Sequence, residues 1–137
     1  MFESAFHHFQ VTVTDLEKSR AFYGEFLGLP EMKRPEFPFP GAWFQLPQGQ
    51  ELHIVCVPAP LWRSPKFMEI FETHIALRVE SFRSALERLH AAGFHEDLPE
   101  DHPLKMVIKQ HPPTGYPQVY FWDPDRHLLE WNAARLD

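Results

Sequence analysis

Three histidines and one glutamate stand where metal chemistry is possible. His8 and His74 each open a stretch in which polar and apolar residues alternate. Over residues 6–13 the alternation puts His8, Gln10 and Thr12 on one face and Phe9, Val11 and Val13 on the other. Over residues 73–79 it puts His74, Ala76 and Arg78 opposite Ile75, Leu77 and Val79. His53 lies in Glu51-Leu52-His53-Ile54-Val55, and Glu130 lies in Leu128-Leu129-Glu130-Trp131. A glutamate in such apolar company is rarely buried unless paired or bound to a cation. Against the plain reading of polar residues at strand starts stands the repeated placement of His8 and His74. Three imidazoles and one carboxylate suit one borderline divalent ion per site: Zn, Ni, Fe, Co or Mn. That set leaves one or two coordination positions for water or substrate.

The elements that must position these groups come in two copies. After residues 6–13, Thr14 or Asp15 caps a helix expected over 16–27, ended by Gly28. Residues 30–41 are rich in Pro and Phe and read as a loop. Strands follow over 42–46 and 51–57, joined by Pro47-Gln48-Gly49-Gln50. In the second copy Ser81 caps a helix over 82–92, ended by Gly93. Strands over 105–110, 118–122 and 128–132 close it, with Asp123-Pro124-Asp125-Arg126 as the last turn. Such a repeat predicts α+β architecture: two paired βαβββ modules forming a curved mixed-sheet cup with helices outside. The first module spans 1–57, a connector 58–70 and the second module 71–137, in one structural domain overall. His8, Gln10 and Thr12 then line the cup.

The remaining residues read more plainly. His7 points away from His8, and His90 needs no role beyond a cation at a helix end. His95, His102, His111 and His127 fall in loops and read as solvated. Only one of Trp43 and Phe44 can face the cup. Cys56 reads as a buried small hydrophobe. The Phe37 and Phe39 loop is either a lid over an apolar substrate or a surface patch.

Composition excludes other classes. The chain has 137 residues, 44% of them hydrophobic, which suits one globular domain. A net charge of −6 with no Lys/Arg run argues against a nucleic-acid partner. The single cysteine excludes an intrachain disulfide and a cysteine-cluster metal site, and fits a reducing cytoplasm. No apolar run reaches the length of a membrane span, and the first residues lack a secretory apolar segment.

Two motifs carry a family resemblance. His8-Phe9-Gln10-Val11-Thr12-Val13-Thr14-Asp15-Leu16-Glu17-Lys18-Ser19-Arg20-Ala21-Phe22-Tyr23, followed by Phe26-Leu27-Gly28-Leu29, resembles the opening of the vicinal oxygen chelate superfamily. Val119-Tyr120-Phe121-Trp122-Asp123-Pro124-Asp125-Arg126-His127-Leu128-Leu129-Glu130 resembles its closing strand-turn-strand. That superfamily includes glyoxalase I, methylmalonyl-CoA epimerase, extradiol dioxygenases, fosfomycin-resistance enzymes and bleomycin-binding proteins. The resemblance implies metal ligands at His8, His53, His74 and Glu130, with Glu51 as the alternative to His53.

It further implies a metal-dependent lyase or isomerase that chelates adjacent substrate oxygens and stabilises an enolate-type intermediate, with Glu130 moving the proton. Gln10, Thr12, Arg78 and Tyr120 are the implied substrate-binding residues. Many glyoxalase I sequences carry Arg where this chain has Thr12. Arg78 holds the mirror position and could grip an anionic group. Arg126 replaces the usual glycine of the last turn and implies strain or a different turn. The alternatives are an Fe(II) extradiol-type ring-cleavage dioxygenase, using His8, His74 and Glu130, and a non-catalytic small-molecule binding protein. The implied partners are a small-molecule substrate and a second copy of the chain in a homodimer.

Overall fold

The computed structural model describes residues 2–57 and 67–137. The connector expected at 58–70 therefore lies outside the described residues over 58–66. The chain divides into two compact units, Met1–Arg63 and Ser64–Asp137.

In the first unit, β1 (His8–Val13) leads into helix α1 (Leu16–Arg20). Asp15 takes the capping role, its side chain accepting from the Lys18 amide at 3.1 Å. The expected single helix over 16–27 changes type at its middle. Residues Ala21–Phe26 form a π-helical stretch, with the Leu27 amide donating to the Phe22 carbonyl. The widened turn brings the adjacent Phe22 and Tyr23 inward together, edge to face at 5.1 Å. Gly28 leaves the helix at φ 76°.

β2 (Glu31–Met32), β3 (Gly41–Gln45) and β4 (Glu51–Cys56) complete a sheet ordered β1-β4-β3-β2, with β1 and β4 parallel and the other pairs antiparallel. The loop expected at 30–41 thus contains a strand of two residues. It is too short to show a period, and it exists because Glu31 and Met32 pair with Phe44 and Trp43. One face of the sheet buries Val11, Val13, Phe44, Leu52 and Ile54. Each such side chain contributes roughly 1.5–3 kcal/mol. Gly24 lets the helix approach this face: an added Cβ would stand 3.2 Å from the Phe44 ring.

The second unit repeats the plan. β5 (His74–Val79) leads to α2 (Phe82–Ala91), capped by Ser81, whose hydroxyl accepts from the Ser84 amide at 3.0 Å. β6 (Met106–Lys109), β7 (Gln118–Trp122) and β8 (Leu128–Ala133) give the order β5-β8-β7-β6, with β5 and β8 parallel. Phe82, Ala85 and Leu89 of α2 are buried, as are Val119, Phe121, Leu129 and Trp131 of the sheet. Each unit is therefore a βαβββ module, and the architecture is α+β with two mixed four-stranded sheets.

Arg126 sits at φ 63°, so the last turn keeps the left-handed conformation without glycine. The guanidinium lies 4.7 Å from the Trp122 ring and donates to the Asp101 carbonyl at 3.0 Å, contacts a glycine would lack. Two expectations of exposure fail. His127 is buried, and its amide and carbonyl both bond Asp123 across the turn. Cys56, at the end of β4, is half-buried rather than buried. No helix among the described residues is long and apolar enough to cross a membrane.

Candidate functional site

The polar faces of the two sheets carry the candidate residues, and strand register decides which of them become neighbours. In the first unit, parallel pairing sets His8 against Glu51, Gln10 against His53 and Thr12 against Val55. β3 then places Trp43 beside His53. The His53 ring is stacked between two others: Trp43 at 3.9 Å with 1° between planes, and His8 at 4.3 Å with 13°. Phe44 is fully buried on the opposite face, so Trp43 is the one that faces the candidate residues. His53 Nε2 lies 2.6 Å from Glu51 Oε2. That hydrogen bond holds the Glu51 carboxyl below the usual carboxylate range. His7 Nδ1 lies 2.9 Å from His8 Nδ1, so this neighbour keeps contact with the candidate ligand despite the alternation.

In the second unit, Glu130 is the centre. It is buried beside Tyr120 and Ala76 in register. Its Oε1 accepts from Asn132 Nδ2 at 2.7 Å and from Gln118 Nε2 at 3.0 Å. Its Oε2 faces His74 Nε2 at 3.1 Å. His74 Nδ1 lies 2.8 Å from the Glu72 carbonyl. A carbonyl can only accept, so Nδ1 carries the hydrogen; Nε2 then meets Glu130 Oε2 as a donor when the ring is protonated and as a bare lone pair when it is neutral. Burial, reinforced by the neighbouring Glu130 charge, pushes the Tyr120 phenol up to about 12. Tyr120 therefore stays protonated and acts as a donor near neutral pH.

Arg78 donates through Nε to Asn132 Oδ1, and its guanidinium lies 5.0 Å from the Tyr116 ring. Lys109, Gln118, Asn132 and Arg78 follow one another across four strands. A cavity of about 1170 Å³ opens against this unit, with Ile70, Val107, Lys109, Thr114, Gln118 and Tyr120 among its lining.

Register also bears on His53 and Glu51. Glu130 pairs with Ala76, two residues after His74, and His53 pairs with Gln10, two residues after His8. Glu51 instead pairs with His8, as Leu128 pairs with His74. His53 is thus the positional counterpart of Glu130. Sequence reading missed Gln118 and Asn132. The signal was present, since each lies two residues from a candidate on an alternating strand, but the bond to Glu130 depends on how β7 and β8 align.

Comparison with known proteins agrees with this repeated plan. The family model of the Glyoxalase/Bleomycin resistance protein/Dioxygenase superfamily matches residues 5–131. The uncharacterized protein YwkD of Bacillus subtilis (strain 168) is 28% identical over 133 residues, which is 95% of this chain and 97% of YwkD. A glyoxalase family protein from Bacillus anthracis shares the fold with a TM-score of 0.72 at 23% identity, over 97% of each chain. A variant of the fosfomycin resistance protein FosX from Listeria monocytogenes, complexed with Mn(II) and 1S,2S-dihydroxypropylphosphonic acid, does so with a TM-score of 0.70. Its identity is 22%, over 99% of this chain and 95% of that one. Matched across nearly its whole length and built from the same paired βαβββ units, the chain belongs to the Glyoxalase/Bleomycin resistance protein/Dioxygenase superfamily.

Proposed function

We propose that the protein is a metal-dependent lyase or isomerase of glyoxalase type, acting on a small molecule with two adjacent oxygens. One observation carries the reading. Nε2 of His74 and Oε2 of Glu130 are 3.1 Å apart, and with a neutral ring two lone pairs so placed repel unless a cation satisfies both. A protonated imidazole would do so. A divalent ion would as well, because ligand atoms around tetrahedral zinc stand about 3.3 Å apart. The donor chemistry fits the ion: His8, His53, His74 and Glu130 together make three imidazoles and one carboxylate. Each unit supplies one pair, from one chain or from two copies in a homodimer. His53 is favoured over Glu51 by its register.

When bound, the ion supplies Lewis acidity that polarises the substrate oxygens and stabilises enolate-type charge. The chain's own residues do the rest. Gln118 and Asn132 hold Oε1 of Glu130, so Oε2 is the atom that would loosen from the ion to take and return the proton. Tyr120 remains protonated and donates to developing negative charge. Gln10, Thr12 and Arg78 hold the substrate, Arg78 toward any anionic group.

A second reading has its own observation. The Glu51 bond to His53 Nε2 withdraws that nitrogen. His8, His74 and Glu130 then form the two-His, one-carboxylate set of Fe(II) oxygen chemistry, and the reaction becomes extradiol-type ring cleavage.

Elemental analysis of untagged protein tests the assignment. His74→Ala and Glu130→Gln should each lose the bound ion, and Glu130→Gln should lose solvent-deuterium exchange into hydroxyacetone, a minimal probe with adjacent oxygens. Iron as the retained metal would favour the dioxygenase. An ion content unchanged in both variants would overturn the ligand set, and no uptake of any of the five ions would favour a non-catalytic binding protein.

A further inference from the structure

A second group of metal-ligating side chains lies in the Ser64–Asp137 unit, outside the residues assigned above. His90 lies in the last turn of α2, and His95, Glu96 and Asp97 follow the turn beyond it. Gly93, at φ 94°, reverses the chain there, with the Gly93 amide bonded to the His90 carbonyl. Phe94 is buried edge-on to Phe121 at 5.7 Å and anchors the turn. The buried Lys105 then ties down the next stretch, its Nζ donating to the Glu96 carbonyl at 2.7 Å and the Leu98 carbonyl at 3.0 Å. These constraints return His95 to the side of His90, with ring centroids 5.3 Å apart.

The donor atoms converge. His90 Nε2 lies 3.0 Å from Glu96 Oε2, and His95 Nδ1 lies 3.7 Å from the same oxygen. One ligand atom from each of the three residues falls within 4.8 Å of the other two. His95 Nδ1 is also 3.7 Å from Asp97 Oδ2. These spacings straddle the roughly 3.3 Å that separates ligands around tetrahedral zinc. The carbonyl end of α2 adds negative potential at this point. Lys105 spends its charge on the carbonyls and on Glu100 at 3.3 Å, leaving the Glu96 carboxylate to the imidazoles.

We propose that His90, His95 and Glu96, with Asp97 as fourth donor, form a surface site for a zinc-class divalent ion, separate from His8, His53, His74 and Glu130. The ion replaces the proton that His90 shares with Glu96 and displaces the Asp97 amide from His95 Nδ1, where it donates at 3.0 Å. That amide is exposed and passes to water. The bound ion clips the C-terminal turn of α2 to the segment that follows it. No catalytic role is needed.

Zinc chloride titrated into untagged His74→Ala protein isolates the site. The expected result is one zinc per chain by calorimetry, abolished by adding His90→Ala and His95→Ala and weakened at least tenfold by Glu96→Gln. In unaltered protein, zinc should shift the imidazole ¹⁵N resonances of His90 and His95, a readout independent of any variant's folding. Unshifted resonances, or zinc binding undiminished without both histidines, would overturn the proposal. Failure of the proposed catalytic centre looks different: His74→Ala and unaltered protein would bind the same number of ions.

Discussion

Oxygen Oε1 of Glu130 already accepts two amide hydrogens, so the reactivity of this carboxylate belongs to Oε2. Bonds to a charged group contribute about 1.5–3 kcal/mol each, so Asn132→Ala should weaken retention of the proposed ion about ten- to a hundredfold. Competition against a chelator of known affinity measures this. Asn132 also receives Arg78, and the same variant should raise KM for an anionic substrate through loosening of that side chain. Tyr120 sets a pH limit at the alkaline end. Its pKa is raised to about 12 from an ordinary 10.0, so the folded protein holds the phenol proton where the unfolded chain releases it. The stability this contributes is complete below about pH 10 and is lost as pH rises toward 12. Denaturant midpoints across that range should fall in unaltered protein and flatten in Tyr120→Phe.

At the scale of elements, two backbone positions carry consequences that side-chain chemistry does not reveal. Gly41 opens β3 where a Cβ would stand 2.3 Å from the Ile54 carbonyl. Gly41→Ala must push β3 off β4, which should cost roughly 1–3 kcal/mol. It should also disturb the Trp43 stack on His53, visible as a change in tryptophan fluorescence. Arg126 holds a left-handed turn between β7 and β8. Arg126→Ala and Arg126→Gly lose the same contacts to Trp122 and Asp101, and only Ala keeps a Cβ at positive φ. The Gly variant should therefore be the more stable by about 1 kcal/mol in chemical denaturation. The π-helical stretch is a third such feature. Spacing predicts one continuous helix over 16–27, and the wider turn is what buries the adjacent Phe22 and Tyr23 together, Tyr23 beside the Phe44 ring.

At the scale of the whole molecule, the proposed ligand pair of each βαβββ unit needs a second pair to complete it. If a homodimer draws one pair from each copy, His8→Ala and His74→Ala chains co-expressed should recover ion binding at the proposed His8, His53, His74 and Glu130 centre, which neither shows there alone. Random pairing makes half the dimers mixed, each with one intact centre, so about a quarter of the centres should return. No recovery would assign both pairs to one chain. Removal of the proposed ion by chelation should lower the melting temperature, since a ligand bound only by the folded state stabilises it by mass action.

The repeat, the mixed sheets and the principal candidates were legible in the sequence. Alternation around His8 and His74 marks two equivalent strands, and Pro117 and Asp123-Pro124 bound β7 at its observed ends. Local rules suffice there because side-chain period and turn chemistry act over a few residues. Tertiary structure decided what pairing controls. β2 exists only through its partners on β3, and His127 is buried in a turn whose backbone bonds to Asp123. Strand register chose His53 over Glu51 as the counterpart of Glu130 and brought Gln118 and Asn132 onto one oxygen. The turn at Gly93 set His95 and Glu96 beside His90, although the two histidines read only as a solvated loop residue and a helix-end cation. Distances between side chains on different strands, or on either side of a reversed turn, depend on how the backbone aligns them, and no local sequence pattern contains that alignment.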